Sequence, residues 1–240
     1  VLDHGPLGMP PSCGHGHADA LSVILTDGDR DVLIDPGTNT YTGDPDLRAY
    51  FRSAFAHNTL TVDGRDQAHQ ETAFMWSSHY QAEVLNAAQR ATGSFVMARH
   101  DGYRRLGVVH YRGVMLAECG LVVWDYLAGT GPHYVELRWH CAAAGMVNDG
   151  VVNLETGHSI EISGVVDLSL TVGNGISPPA LRAPRYGEVQ GIWEVRGSWE
   201  GQLPHTIVTV IGPGHQSMPP ALVQASQETF RQWISGARSG

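Results

Sequence analysis

Short runs of alternating polar and apolar residues, separated by glycine, proline, aspartate and asparagine, recur along almost the whole chain. Residues 58–62, for example, alternate in this way before an Asp-Gly turn, which places one face of a strand in a core and the other toward water. The 29 glycines and 13 prolines supply the turns between such segments. The pattern predicts an all-β fold, a large antiparallel β-sandwich with few short helices.

The predicted strands fall at regular intervals, and the first two flank Asp27-Gly28-Asp29-Arg30, which is typical of a hairpin. The strand segments are 21–26, 31–34, 58–62, 95–99, 105–111, 114–118, 120–125, 134–139, 159–163, 168–172 and 206–211. Helices are predicted only at 45–52, where a proline stands near the first turn, and at 221–234. The Gly-Pro-Gly at 212–214 divides the chain into a β-sandwich domain, 1–214, and a C-terminal tail, 215–240.

The charge balance excludes several classes of partner. Fifteen Lys and Arg against 24 Asp and Glu give a net charge of −9, which argues against a nucleic-acid or acidic-membrane surface. No apolar stretch approaches the roughly 20 residues of a membrane span. The three cysteines are too few and odd in number for a disulfide framework.

Histidines and aspartates concentrate in the first 60 residues. His15, His17 and Asp19 lie within five positions, Asp35 stands in Ile-Asp-Pro-Gly, and His57 stands in Ala-His-Asn-Thr. Imidazole nitrogens and a carboxylate oxygen suit zinc. On an extended strand two residues apart share a face, so one of the paired histidines can bind metal while the other exchanges protons.

A regular hairpin around the Asp27–Arg30 turn would set Asp35 opposite Ser22, about 16 Å along the strand from His17. The strands must therefore bend, or one segment must fold back, if these residues share a site. The alternative interpretation is structural: His57 is then a core or capping histidine, and Asp35 bonds its own backbone in an Asp-Pro-Gly turn.

The first 67 residues resemble the C-terminal domain of the heparinase II/III-like polysaccharide lyases, a group that includes heparinases and oligoalginate lyases. The resembling segments are 4–8, 15–22, 33–38, 50–53 and 56–67. Beyond them the similarity lies in the strand pattern and in Arg185-Tyr186-Gly187.

This resemblance implies zinc bound by His17, Asp35 and His57, with His15 as a catalytic residue. It also implies that Tyr41 is a catalytic partner in contact with substrate, although Tyr50 competes for that role.

Two arginines are candidates for binding substrate. Arg52 is expected either to hold a uronate carboxylate or to form a structural salt bridge. Arg185, together with Arg182 and Tyr186 in a proline-rich loop, is a candidate surface for an acidic sugar.

Lyases of this family cut a glycosidic bond beside a uronic acid by β-elimination, which requires a base, an acid and a group that neutralises the carboxylate. The family also carries an N-terminal helical toroid that supplies a further catalytic Tyr and an Asn or His. Since no long helical periodicity is found here, the toroid is expected to be absent from this chain. The 240 residues are then the β-domain of a larger lyase, inactive or weak when isolated.

The implied partners are an acidic polysaccharide or oligosaccharide and the toroid domain of the same polypeptide, and the expected location is periplasmic or secreted. Two other functions stay open. The chain could be a noncatalytic carbohydrate-binding or structural module whose zinc only stabilises the fold, or a zinc-dependent glycan hydrolase that uses metal-activated water.

Overall fold

The computed structural model describes residues 1–174, 180–214 and 218–237, and within them the chain is built almost entirely from antiparallel strands. The strands are β1 Leu25–Asp27, β2 Arg30–Leu33, β3 Leu60–Val62, β4 Gln70–Thr72, β5 Met75–Trp76, β6 Ala82–Arg90, β7 Gly93–His100, β8 Val109–Ala117, β9 Gly120–Cys141, β10 Gly145–Asn148, β11 Val151–Leu154, β12 His158–Ser163, β13 Asp167–Val172, β14 Leu181–Arg182, β15 Gln190–Gly191 and β16 Trp193–Pro213. The helices are α1 Pro45–Arg52 and α2 Pro220–Ala237, with 3-10 turns at Ala54–Ala56 and Arg104–Leu106. The predicted all-β class with few helices is confirmed.

Two long strands, β9 and β16, organise the sheet. The strand order is β10-β11-β12-β16-β9-β8-β7-β6, while β13 pairs with β16, and β2 and β3 pair with β9. The first half of β9 pairs with β8, and its last residues pair with β3 and β2. Strand β16 is divided between partners in the same way: its first residues pair with β13 and its last residues pair with β12. Each long strand therefore belongs to both layers of a folded sheet.

The main core lies between these layers. Val123 and Leu127 from the first half of β9 share one buried cluster with Leu137 and Trp139 from its second half. The same cluster takes in β1, β2 and β3. Burial of this apolar surface is the main force that holds the layers together.

Helix α1 begins and ends at the predicted residues. Asp44 caps it by accepting hydrogen bonds from the amides of Asp46 and Leu47, and Pro45 stands in the first turn, where a missing N–H costs nothing. Its inner face carries Arg48, Phe51 and Arg52. Helix α1 therefore buries two arginines as well as an aromatic ring.

Helix α2 includes the predicted 221–234 and covers the outer face of the sheet. Phe230 packs against Phe95 and Trp124, and it approaches β8 at Gly113, where a Cβ would lie 2.4 Å from the ring. The predicted start of the tail, at 215, lies outside the described residues. No helix in the described ranges is long and apolar enough to cross a membrane.

The predicted strands 105–111 and 114–118 are one strand, β8, which begins only at Val109, and two further details are wrong. The first strand begins only at Leu25, and a bulge shifts the hairpin so that Leu25 faces Leu33. Residues before it follow an irregular path, so Asp35 does not lie opposite Ser22. The second error is the break expected near 126–133, because β9 continues through Gly129 and Gly131 as one strand of 22 residues.

Candidate active site and metal centre

The candidate residues lie outside the regular sheet. His15 and His17 belong to the irregular segment before β1, Asp35 follows β2, and Tyr41 precedes α1. His57 follows the 3-10 turn at Ala54–Ala56. The connections between β2 and β3 thus fold back onto the N-terminal segment, as the site requires.

His17 and His57 direct ring nitrogens at one another. His17 Nδ1 lies 3.4 Å from His57 Nε2, and the rings are inclined by 65°. His57 Nδ1 donates to the carbonyl of Ser53 at 2.7 Å, which leaves the lone pair of a neutral His57 on Nε2. Burial, with additional repulsion from His57, Arg48 and Arg52, lowers the pKa of His17 to about 3. The His17 ring is therefore neutral near pH 7.

Two carboxylates approach this pair. Donor atoms of His17, Asp19 and His57 all lie within 4.8 Å of one another, the one such group of potential metal ligands in the described part of the chain. Asp35 Oδ2 lies 3.8 Å from His57 Nε2, while its Oδ1 accepts from the amide of Gly37 at 2.8 Å. Asp35 thus forms the Asp-Pro-Gly turn and keeps its other oxygen near His57, but the compact ligand group contains Asp19 and not the predicted Asp35.

Asp19 differs from Asp35 in its surroundings. Burial raises the pKa of Asp19 to about 6, and the hydroxyl of Tyr80 donates to its Oδ1 at 3.4 Å. The Asp35 side chain is 43% exposed. In the sequence Asp19 is only a near neighbour of the paired histidines, whereas the structure brings it into the ligand group.

The donor set fits zinc. Two nitrogen ligands at about 2.0–2.1 Å from a tetrahedral zinc lie about 3.4 Å from one another, which is the separation of the two imidazole nitrogens. Thr38 Oγ1 lies 3.4 Å from Nε2 of His17. Hydrogen-bond partners of this kind orient the rings of metal-binding histidines.

His15 points away from this pair. The expectation that His15 and His17 stand side by side on a strand is wrong, because a turn closed by the Gly16 amide and the Cys13 carbonyl bends the chain there. A Cβ on Gly16 would lie 1.5 Å from the carbonyl oxygen of Leu7, so this path requires glycine. His15 instead meets the ring of Tyr41 edge-on, with centroids 5.4 Å apart, and lies 6.3 Å from Phe74.

The structure separates the two candidate tyrosines. Tyr41 is 39% exposed beside His15. Tyr50 is largely buried, its oxygen accepts from the amide of Leu181, and burial holds the pKa of its hydroxyl far above the ordinary range. Tyr41 can therefore reach a substrate at His15, and Tyr50 instead anchors the segment after residue 180 to α1.

The predicted substrate-binding arginines also differ. Arg52 has no exposed surface and donates to the carbonyls of Gly16 and Thr72, so its guanidinium cannot reach a uronate carboxylate at the surface. Arg52 therefore has a structural role, as the alternative expectation stated, but it bonds backbone carbonyls and not the carboxylate of a salt bridge. The Arg185 side chain is 81% exposed and lies 3.7 Å from Glu188.

Arg48 was not predicted, yet it contacts more of the site than any other residue of α1. It is 2% exposed, donates to the carbonyls of Gly14 and Ala73, and lies over the rings of Tyr41 and Phe74 at 5.1 and 5.7 Å. Its Nη1 has no hydrogen-bond partner among the described residues, which the electron-rich ring faces explain. The signal in the sequence was the spacing of Arg48 and Arg52, one helical turn apart.

Comparison with known proteins identifies relatives of this architecture. A sequence model of the family described as "Heparinase II/III-like, C-terminal" matches residues 1–220. No curated protein sequence matches the chain significantly.

Solved structures share the fold at low sequence identity. Heparinase III with methylated lysines superposes with a TM-score of 0.71 at 17% identity over 90% of this chain and 32% of that one. Heparan sulfate lyase HepC from Pedobacter heparinus superposes with a TM-score of 0.68 at 17% identity, over 90% of this chain and 33% of that one. Another heparinase III superposes with a TM-score of 0.65 at 20% identity, over 83% of this chain and 30% of that one. The chain thus spans about a third of the length of these structures.

Proposed function

This chain belongs to the heparinase II/III-like C-terminal domain family, and from that premise we propose that it forms one wall of the active site of a polysaccharide lyase. The substrate is a glycan that contains uronic acid, and the reaction is β-elimination. The observation that carries the proposal is the exposed pair of His15 and Tyr41, with rings 5.4 Å apart, next to the buried pair of His17 and His57.

The reaction needs two proton transfers at neighbouring positions. A base removes the hydrogen from the carbon that bears the carboxylate, a carbon–carbon double bond forms, the glycosidic carbon–oxygen bond breaks, and an acid protonates the departing oxygen. An imidazole and a phenol in contact provide both functions at one place. His15 and Tyr41 are the catalytic residues of this proposal.

The metal in this proposal is structural. His17, Asp35 and His57 would hold zinc, and Asp19 is close enough to complete a closed four-ligand site. Zinc bound there would fix the segment that carries His15 relative to the turn that leads to Tyr41.

The opposite wall lies outside this chain. We propose that an N-terminal helical domain of the same polypeptide supplies the groups that neutralise the uronate carboxylate. The solved relatives are about three times as long as the chain, which supports this arrangement. A periplasmic or secreted location follows from the proposal, because polymeric substrates are met there.

The test is His15→Ala in the full-length lyase. We expect activity on heparan sulfate or alginate to fall by about 10²- to 10⁴-fold, because general acid–base catalysis is lost, while zinc content is retained. His69→Ala, at a histidine whose side chain is 66% exposed and lies 3.9 Å from Glu71, is the matched control. Ultraviolet absorbance of the unsaturated uronate measures the reaction. Unchanged activity of His15→Ala contradicts the assignment, and new reducing ends without that absorbance indicate hydrolysis.

The metal is tested by zinc content after dialysis of His57→Ala, Asp35→Asn and Asp19→Asn. We expect loss of zinc in the first two, since each removes a ligand. Asp19→Asn decides whether the site has a fourth protein ligand, because zinc affinity falls only if its carboxylate binds the metal. Retention of zinc by His57→Ala would contradict the metal centre.

A further inference from the structure

Three exposed aromatic rings stand in a row beside His15. Tyr41 is the ring that contacts both of the others: its centroid lies 6.3 Å from that of Phe74, at an interplanar angle of 28°, and 5.6 Å from that of Tyr186, at 35°. They are 39%, 39% and 62% exposed for Tyr41, Phe74 and Tyr186. Exposed apolar rings that lie together mark a binding surface more often than exposed rings scattered singly do.

The row is fixed before any ligand arrives. Arg48 lies under Tyr41 and Phe74, and it also holds the carbonyls of Gly14 and Ala73, next to His15 and Phe74. The hydroxyl of Tyr186 accepts from the backbone amide of Tyr41 at 3.3 Å. Rings held in this way lose little conformational entropy on binding.

The segment that carries Tyr186 is tied to the site at two further points. The amide of Ala183 donates to the carbonyl of Pro36, and the amide of Gly187 donates to that of Asn39. These bonds flank the connection between Asp35 and Tyr41. Tyr186, although 145 residues away in sequence, is thus part of the same wall as Tyr41.

We propose that Phe74 and Tyr186 bind substrate on either side of Tyr41, so that the row stacks against successive sugar residues of an acidic polysaccharide. A pyranose has an apolar face of C–H groups, and aromatic rings offer a matching apolar surface with a negative face. Arg48 below the rings and Arg185 beside Tyr186, which also lies 3.7 Å from Glu188, place two cationic groups next to the row for a polyanion to meet. This inference rests on the proposed lyase function and defines its substrate as an oligomer or polymer.

Stacking on flanking rings acts equally in the ground state and in the transition state. Loss of either ring therefore raises KM and leaves kcat nearly unchanged. The effect must also depend on chain length, because a disaccharide cannot cover the whole row.

The experiment compares Phe74→Ala and Tyr186→Ala with wild type in the full-length lyase, on a disaccharide and a hexasaccharide of whichever glycan wild type cleaves, heparan sulfate or alginate. We expect KM for the hexasaccharide to rise by about 3- to 10-fold in each variant, with kcat within about twofold and a smaller change for the disaccharide. Tyr134→Ala removes a ring that is 40% exposed on β9, outside the row, and serves as the control. Phe74→Tyr keeps a ring and is expected to keep the wild-type KM.

Each outcome has a separate meaning. If wild type cleaves neither glycan, the proposed function fails. If wild type is active and the two alanine variants have unchanged KM for the hexasaccharide, this inference is overturned while the lyase function stands. If the variants lower the melting temperature of the full-length protein without raising KM, the rings contact the N-terminal domain and the inference is again wrong.

Discussion

The sheet and the segments that carry the candidate site hold their backbones in different ways. In β9 and β16 the backbone bonds to neighbouring strands along an extended ladder, and apolar side chains fill the space between the layers. Residues 14–19 and 35–44, on either side of the β1–β2 hairpin, form no strand, and the side chains of Arg48 and Arg52 bond the backbone of the N-terminal segment instead. A segment held by side chains can take shapes that a strand cannot, but its shape then depends on those side chains.

Arg112 connects the two regions, and the largest effect is expected there. Its buried guanidinium makes a bidentate contact with Asp125 on β9 and donates to the carbonyls of Leu21 and Asn58 in the irregular region. Arg112→Met leaves Asp125 as a buried charge without its main partner, so we expect the free energy of unfolding to fall by about 3–5 kcal/mol.

Urea denaturation measures the loss. The control is Arg99→Met, which breaks a half-exposed pair with Glu83 and should cost no more than about 1 kcal/mol. If both variants lose the same free energy of unfolding, the contacts of Arg112 between the two regions stabilise the protein no more than a surface ion pair does.

Glu194 tests the sheet itself through pH. Burial alone would raise the pKa of this carboxyl, but His140, Arg138 and Arg196 outweigh burial and lower it to about 2, from an ordinary 4.5. The unfolded chain therefore takes up a proton at higher pH than the folded chain does. The stabilisation is complete above about pH 4.5 and is lost as pH falls toward 2, by about 3 kcal/mol in total.

Unfolding free energies between pH 7 and pH 3 check this effect. Glu194→Gln should flatten the acid dependence of stability, whereas Glu161→Gln, at an exposed position of β12, should leave it as in wild type. The same acid slope in Glu194→Gln and wild type would contradict the assignment.

Arg48 tests the irregular region, with the smallest expected effect on stability. Arg48→Met leaves the carbonyls of Gly14 and Ala73 without their donor, which should cost about 2 kcal/mol. Because the sheet does not depend on these bonds, the first effect should be local: proteolysis near residues 9–16 and 73–75 increases before global unfolding. Arg90→Met, which removes a similar contact over Phe95 far from the site, is the control. Uniform destabilisation without local cleavage would show that the two regions unfold as one unit.

The sequence predicted best what local chemistry determines. Helix α1 follows from Pro45 near its first turn, and most strands follow from alternation. The length of β9 was missed because Gly129, Gly131 and Pro132 are turn residues in most contexts. Here they lie in the middle of a strand, near the point where the ladder to β16 shifts register at Leu203 and His205.

The site was predictable in part. Family resemblance indicated His15, His17, Asp35, Tyr41 and His57. The structure brings His57 close to His17 and to Asp35, and it sets His15 against Tyr41, while the roles of all five stay predictions. The approach of Asp19 and the burial of Arg48 depend on a turn at Gly16 and on the docking of α1, neither of which has a periodic pattern. Phe74 gave no signal in the sequence, because the run Phe74-Met75-Trp76 is typical of an ordinary apolar strand until the neighbours of each ring are known.

The long strands also limit how this domain can vary. Since β9 and β16 are shared by both layers, an insertion or a cut within either strand would disturb the hydrogen-bond register of both layers at once. The segments that can change length without that penalty are the connections at one edge, such as 36–44 and 183–189, and these surround the site. A scaffold of this kind can keep its architecture while the loops around the candidate site change.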